Sequence, residues 1–337
     1  MLARRLPVHS FAQCAQVNRS WRDAARQALK ARQSDLSMGV ETVPIRCENA
    51  SGGGPPFPSI EEYISRCRGA TTRDRARLRE ALLVGCDCAT ACCAGYCACL
   101  ASSGRSAGSP PYDADGRLLS LLTDDDGVRT AAPHWPIVEC SEACSCSQNA
   151  CRNSVVGRGV QAPLTVFYTT DGQRGWGVRA DSPLARGMFV CEYAGELVSA
   201  AELSARRARR ARVGRLAGGA ICGREARTGG GFYEMSIVEH RHSSRGEGAL
   251  QTNIDPTDCG NVGRFLNHSC EPNLVPVIVR VGSVVPSVGF FCLRDVAAGE
   301  ELTFDCRLPA PCPSLPRLAC YAHRHRGTFN SARNRHG

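Results

Sequence analysis

The sequence predicts a mostly β protein in which a cysteine-built metal module precedes a compact, strand-rich domain. Three observations lead there. Six cysteines crowd between Cys86 and Cys99 and four more between Cys140 and Cys151, out of 21 in the chain. Short β-branched or aromatic runs alternate with Gly and Pro turns from Leu164 to Val198 and again from Leu274 to Phe304. That is the rhythm of strands rather than of a doubly wound α/β sheet. No apolar run approaches the roughly 18–20 residues needed to cross a bilayer, so a membrane-spanning protein is excluded.

The 337 residues suit two or about three domains, and 43% apolar with 22% charged residues suits folded globular structure rather than a charged polymer. The net charge of +9 favours anionic or nucleic-acid-rich surroundings. Lys30 is the only lysine, so arginine supplies nearly all the positive charge, and compositional drift explains it as well as a phosphate-binding surface does. The basic N-terminus has too broken an apolar stretch for a signal peptide, which points to an intracellular protein.

Along the chain, apolar positions at Phe11, Cys14, Ala15, Val17, Trp21, Ala25, Ala28 and Leu29 follow one face of a helix. The stretch CAQVNRSWRDAARQ resembles the latter half of an F-box, but the first half is absent, and an amphipathic helix is the better reading. Residues 50–58 (ASGGGPPFP) form a linker or turn. Residues 71–84 read as a short Arg-rich helix, and Asp124, Asp125 and Asp126 as solvated loop charges. An Arg/Gly-rich insertion near 204–231 carries Arg206, Arg207, Arg209, Arg210, Arg212 and Arg215. It reads as a surface insertion or, alternatively, as a nucleic-acid-binding arm.

The cysteines are spaced as Cys86-x-Cys88-x3-Cys92-x4-Cys97-x-Cys99 and Cys140-x3-Cys144-x-Cys146-x4-Cys151, with Cys93 able to take the place of Cys92. A CxC pair is too short to close one tetrahedral site, yet it can put its two sulfurs on neighbouring metals. Three separate four-coordinate sites need twelve thiolates, so these nine suffice for three zinc ions only if some sulfurs bridge. Such a cluster is structural, since no position is left open for water.

This nine-cysteine arrangement resembles the pre-SET region of SET-domain histone-lysine methyltransferases of the suppressor-of-variegation group, and the flanking strings MGVETVPIRCENA, YDADGRLL and CRNSVVGRGVQ agree with it. Only the gap from Cys146 to Cys151 is one residue longer than the family pattern. Downstream, RGWGVRA (174–180), FVCEYAGELVS (189–199), NIDPTDCGNVGRFLNHSCEPN (253–273) and AGEELTFDC (298–306) resemble the SET domain in order. The resemblance implies small sheets with a knotted C-terminal segment, preceded by a tri-zinc module. It divides the chain into an N-terminal helical region (1–37), a pre-SET region (38–155), a SET domain (156–306) and a degenerate post-SET tail (307–337).

It also implies S-adenosylmethionine as methyl donor and roles for particular residues. Arg174, Gly175, Trp176, Tyr233, Arg264, Asn267 and His268 would bind the donor, with Phe265 packing beside them. Tyr233, His268 and Phe304 would serve the reaction, and Phe304, lacking a hydroxyl, would permit more than one methyl transfer. Tyr193 and Glu196 would serve packing and an internal polar network. Cys270 would be a fourth-zinc ligand beside the nine cysteines of the cluster.

Two departures stand out. Cys306 occupies the place of a family tyrosine whose hydroxyl orients the amine, and a thiol is a poor donor in its place. The post-SET CxCx4C triplet has no counterpart after Cys270, where Cys292, Cys306, Cys312 and Cys320 are differently spaced. Ala322 follows Cys320-Tyr321 where a sulfur belongs, and His323 and His325 are the available substitutes. The expectation is a nuclear, chromosome-associated methyltransferase acting on a histone H3 tail lysine, the ninth or thirty-sixth residue, in the nucleosome. The alternative is a catalytically impaired scaffold on chromatin. DNA contact through the Arg-rich segments is a further expectation, and a membrane partner is not expected.

Overall fold

The computed structural model describes residues 19–49, 60–71, 74, 82–89, 92, 97–103, 110–121, 137–146, 151–169, 174–216, 233–243, 246–305 and 317–320. Its strands are β1 (Arg46–Glu48), β2 (Glu62–Tyr63), β3 (Arg68–Gly69), β4 (Ile137–Glu139), β5 (Leu164–Tyr168), β6 (Trp176–Ala180), β7 (Phe189–Glu192) and β8 (Gly195–Val198). They continue with β9 (Met235–Ser243), β10 (Gly246–Gly260), β11 (Asn267–His268), β12 (Leu274–Val281), β13 (Ser287–Cys292), β14 (Glu301–Phe304) and β15 (Arg317–Cys320). Helices are few: α1 (Arg19–Ser34), α2 (Ala98–Ser102) and α3 (Ala200–Leu216). The mostly β expectation holds.

The larger sheet runs β1-β5-β6-β14-β12-β13-β7, with β11 also pairing β14 and β4 also pairing β12. Its nucleus is the β5–β6 hairpin, registered from Leu164 opposite Ala180 to Tyr168 opposite Trp176. The alternation in LTVFY turns Leu164 and Val166 into the core, where Val178 and Ala180 of β6 join them. Strand β12, LVPVIVRV, is apolar almost throughout because both of its faces are covered, and it pairs antiparallel with β13. The last strand of this sheet, β14, is inserted between β6 and β12 and lies parallel to both β11 and β12. That insertion is what a knotted C-terminal segment requires.

The smaller sheet is built on the β9–β10 hairpin, flanked by β8 and β15. Segments from before residue 156 sew themselves into both sheets as short parallel strands: β1 on β5, β4 on β12, β2 on β10 and β3 on β8. The main core accordingly mixes Leu36, Ile45 and Ile60 with Leu164, Val190, Ile254 and Leu302. Burying each such side chain stabilises the fold by about 1.5–3 kcal/mol.

The described part of the N-terminal helix, α1, turns Ala25, Ala28 and Arg32 inward and leaves Trp21 exposed. Over its described part it is an amphipathic helix packed on its own chain, and the F-box-like stretch at 14–27 begins outside the described residues. Phe11, Cys14, Ala15, Val17, the linker at 50–58, most of 71–84 and Asp124–Asp126 lie outside the described residues.

Candidate active site and metal centre

The cysteines of both clusters converge. Three sets of four sulfurs each lie within 4.8 Å of one another: Cys86, Cys92, Cys97 and Cys140; Cys86, Cys99, Cys140 and Cys144; and Cys92, Cys140, Cys146 and Cys151. Individual separations include 3.2 Å for Cys92–Cys140, 3.6 Å for Cys86–Cys92 and 3.7 Å for Cys99–Cys144. Sulfurs bound to one tetrahedral zinc at about 2.3 Å stand about 3.8 Å apart, so this all-thiol cage fits zinc. The Cys140 thiol, hydrogen-bonding to Cys99 and Cys151, holds them down at about 6 and about 5 respectively against the cost of burial, while itself being pushed up. Sulfurs that bind zinc do so as thiolates.

Among the described residues Cys92 enters the cage, and Cys93 lies outside them. The longer Cys146–Cys151 gap is absorbed without displacing Cys151. Cys88 packs beside the cage but belongs to none of the three sets.

A second constellation forms where the β5–β6 turn meets β11 and β14. Gly175 has φ +75°, the left-handed region that side chains avoid, and a Cβ built there meets nothing within 4 Å among the described residues. Both the backbone N–H and the hydroxyl of Thr169 donate to the Gly175 carbonyl at 2.8 Å. Two residues on, a Cβ at Gly177 would stand 2.9 Å from Glu301 Oε1 and 3.0 Å from Asn267 Nδ2, so glycine lets β6 close on that pair. Asn267 Nδ2 donates to the Trp176 carbonyl at 3.2 Å and to Glu301 Oε1 at 2.9 Å, and Arg174 donates to Glu301 Oε2 at 2.6 Å. The Trp176 ring is buried, edge-on to Tyr168 at 5.3 Å.

Asn267 and His268 pair in parallel with Thr303 and Phe304, so their side chains leave opposite faces of β11. His268 Nδ1 lies 3.6 Å from Asp305 Oδ1, and its Nε2 lies 3.6 Å from the exposed Cys270 sulfur. Cys270 joins no set of metal-ligating groups among the described residues. Phe304 is buried, 4.9 Å from the Phe290 ring, which in turn meets Tyr193 at 6.1 Å. The Tyr193 hydroxyl donates to the Tyr233 carbonyl. Over the Tyr233 ring sits the Arg264 guanidinium, 4.2 Å from the centroid. The sequence puts Arg174, Gly175, Trp176, Tyr233, Arg264, Asn267 and His268 in one site; the structure brings Arg174, Gly175, Trp176 and Asn267 together and, separately, Tyr233 with Arg264. Cys306, Cys312, Tyr321, Ala322, His323 and His325 lie outside the described residues.

Glu301 and Asp305 were not singled out beforehand. Both stand in AGEELTFDC, and the signal was an acidic residue on either side of a strand bound to adjoin NHSC.

The Arg-rich insertion behaves differently from a nucleic-acid arm over its described part. Arg206 binds Glu196 at 2.8 Å and Asp255 at 3.0 Å, Arg210 binds Asp255 at 2.9 Å, and Arg207 grips Glu234. Asp255 and Glu234 are buried, so these arginines fasten α3 to the smaller sheet. Burial would raise Asp255, but the Thr257 hydroxyl and Arg210 prevail and hold it below the usual carboxylate range. Arg209 and Arg212 remain exposed, and residues 217–232 lie outside the described residues.

The chain matches the SET domain over residues 175–307 and the Pre-SET motif over residues 37–154. It is 33% identical over 280 residues to the histone-lysine N-methyltransferase SETMAR of Bos taurus, covering 83% of this chain and 78% of that one. The chain belongs to the SET-domain histone-lysine methyltransferases. The crystal structure of the human SETMAR methyltransferase domain is similar to this SET protein at TM-score 0.60 and 31% identity, over 81% of this chain and 84% of the other. Arabidopsis thaliana SUVH6, solved in complex with S-adenosylmethionine, is similar at TM-score 0.60 and 28% identity, over 87% of this chain and 54% of the other.

Proposed function

We propose that this chain transfers methyl groups from S-adenosylmethionine to a lysine of the histone H3 tail, at its ninth or thirty-sixth residue, on chromatin in the nucleus. The observation that carries the reading is left-handed Gly175 beside the Asn267–Glu301–Arg174 network in a SET-domain chain. S-adenosylmethionine, when bound, supplies an already activated sulfonium methyl, which leaves the protein the tasks of holding and alignment. Gly175, Trp176 and Asn267 hold one end of the donor and His268 the other, from opposite faces of β11. Tyr233 lines the site between donor and lysine, and buried Phe304 forms an apolar floor without a hydroxyl, which leaves room for repeated transfer. A free lysine has a pKa near 10.4, so a site lined by Phe304 and Tyr233 favours the neutral, attacking amine by desolvation.

Three zinc ions in the cysteine cage are the count that nine thiolates support, with three of them bridging to supply twelve bonds. Cys86 and Cys92, each common to two sulfur sets, and Cys140, common to all three, are the bridging candidates. Cys88 completes the nine. A role for Cys270 in a fourth site has less support, since the sequence lacks the triplet that would join it. Exposed Arg209 and Arg212 are the remaining candidates on described α3 for contact with nucleosomal DNA.

Cys306 and the missing triplet favour a second reading, a chromatin scaffold that keeps donor or histone binding but has lost transfer. Loss of a positioned donor group typically costs on the order of 100-fold in rate. Mass spectrometry of H3 tail peptides incubated with the full chain and S-adenosylmethionine separates the two. Added methyl mass at the ninth or thirty-sixth residue supports the enzyme. No added mass with the native chain, but methylation by Cys306→Tyr, supports the scaffold.

A further inference from the structure

An amide side chain that belongs to no ligand set reaches the cysteine cage. Asn153 follows Cys151 by two residues and is 1% exposed. Its Nδ2 donates to the Val138 carbonyl at 3.0 Å and to the Cys140 sulfur at 3.5 Å, and its own carbonyl accepts from the Cys140 N–H at 2.8 Å. Asn153 thus holds Cys140 by both backbone and sulfur. The Val138 carbonyl fixes which way the amide lies, since it accepts from Nδ2 and would repel Oδ1. Oδ1 itself is buried with no hydrogen-bond partner among the described residues. A leucine would fill similar space without stranding an acceptor, so the value of the amide here lies in its N–H groups.

The sulfur it meets is the one common to all three sets. Three zinc ions and nine thiolates sum to a charge of about −3, enclosed among mostly buried groups. Burying charge is costly unless polar groups face it, and an N–H on a thiolate sulfur offsets part of it. Backbone N–H groups do so at the less buried Cys144, whose sulfur is met by those of Cys86 and Ser141 at 3.4 and 3.3 Å. Asn153 brings a side-chain donor to the centre. Val138 lies on β4, which pairs with β12, so the same amide ties the shared sulfur to the larger sheet.

We infer that Asn153 is a positioning residue of the metal cage, which orients the Cys140 thiolate and offsets its charge where it bridges metals. This rests on the reading of the cage as thiolate-bound zinc.

The test loads the full chain with cobalt(II), which takes the same tetrahedral sulfur sites and reports on them through a sulfur-to-metal charge-transfer band. Asn153→Ala weakens metal retention against a competing chelator about 10- to 100-fold, the scale of a lost contact behind a ligand. The band moves to lower energy, because a sulfur deprived of its N–H partner gives up electron density more readily. Asn153→Asp, similar in shape but without the N–H donor, shows both effects and serves if Asn153→Ala does not fold. Ser103→Ala is the control, since the buried Ser103 hydroxyl bonds backbone groups of Val138 and Cys99 rather than a sulfur. It lowers the melting temperature and leaves the band in place. Unchanged retention or an unmoved band in the Asn153 variants, or the same move in Ser103→Ala, overturns the role of Asn153 alone. A native chain that binds neither cobalt nor zinc overturns the zinc reading and this role with it.

Discussion

Asn267 and Glu301 meet between β11 and β14, the Asn267 amide donating to one carboxylate oxygen at 2.9 Å while Arg174 takes the other at 2.6 Å. Glu301 is therefore the hinge between two segments that lie 93 residues apart in the chain numbering of Arg174 and Asn267. Removing it as Glu301→Ala takes this contact from both partners. The expected result is roughly 5- to 30-fold weaker S-adenosylmethionine binding, on the scale of one charge-assisted hydrogen bond. Calorimetry checks it, and an unchanged affinity would count against a site at this junction.

Asp255 is fully buried between Arg206 and Arg210. Breaking a buried pair strands the remaining charges, so Asp255→Ala should cost about 3–5 kcal/mol of stability. Arg209, 66% exposed, is the control, and Arg209→Ala should cost less than about 1 kcal/mol. Denaturant unfolding of the two variants decides the matter, and equal losses would contradict the fastening role of α3.

Cys140 belongs to all three sulfur sets, whereas Cys270 belongs to none among the described residues. Elemental analysis should find about three zinc ions per native chain. Cys140→Ser should lose most of that metal and lower the melting temperature, and Cys270→Ser should lose none. Chelation of the native chain should reproduce the Cys140→Ser loss, because metal binding here contributes folding free energy.

Glu192 lies buried against the backbone N–H of Cys67, and burial raises its carboxyl to about 7 despite the opposing charge of Arg66. Its folded-state pKa thus lies above its unfolded one. The stabilisation is present at acid pH and is lost as pH rises through about 7, where the carboxylate must ionise inside the fold. Glu192→Gln removes that ionisation. Its melting temperature should exceed the native one at about pH 8.5, by up to ~3 kcal/mol in stability, with little difference at about pH 5. Melting curves across that range test the sign, and a native advantage at alkaline pH would refute it.

Much of this was legible in the sequence where a function sits in a short string. CxC spacings announce thiolate clusters, and RGWG and NHSC are short strings through which a family resemblance singles out Gly175, Trp176 and Asn267 before any fold is known. The short β-branched and aromatic runs between Gly and Pro turns around Leu164 and Leu274 likewise revealed strands. What stayed hidden depends on partners far along the chain. Arg206, Arg207 and Arg210 read as free charge until Glu196, Glu234 and Asp255 come beside them. Arg264 likewise meets the Tyr233 ring, 31 residues earlier in numbering, only in the fold.

The central claim is methyl transfer at this site, and its most direct test is transfer of labelled methyl from S-adenosylmethionine to histone H3 by the native chain beside His268→Ala. The fold predicts labelled H3 with the native chain and at least on the order of 100-fold less with His268→Ala. No label with the native chain, or label as strong with His268→Ala, would contradict it.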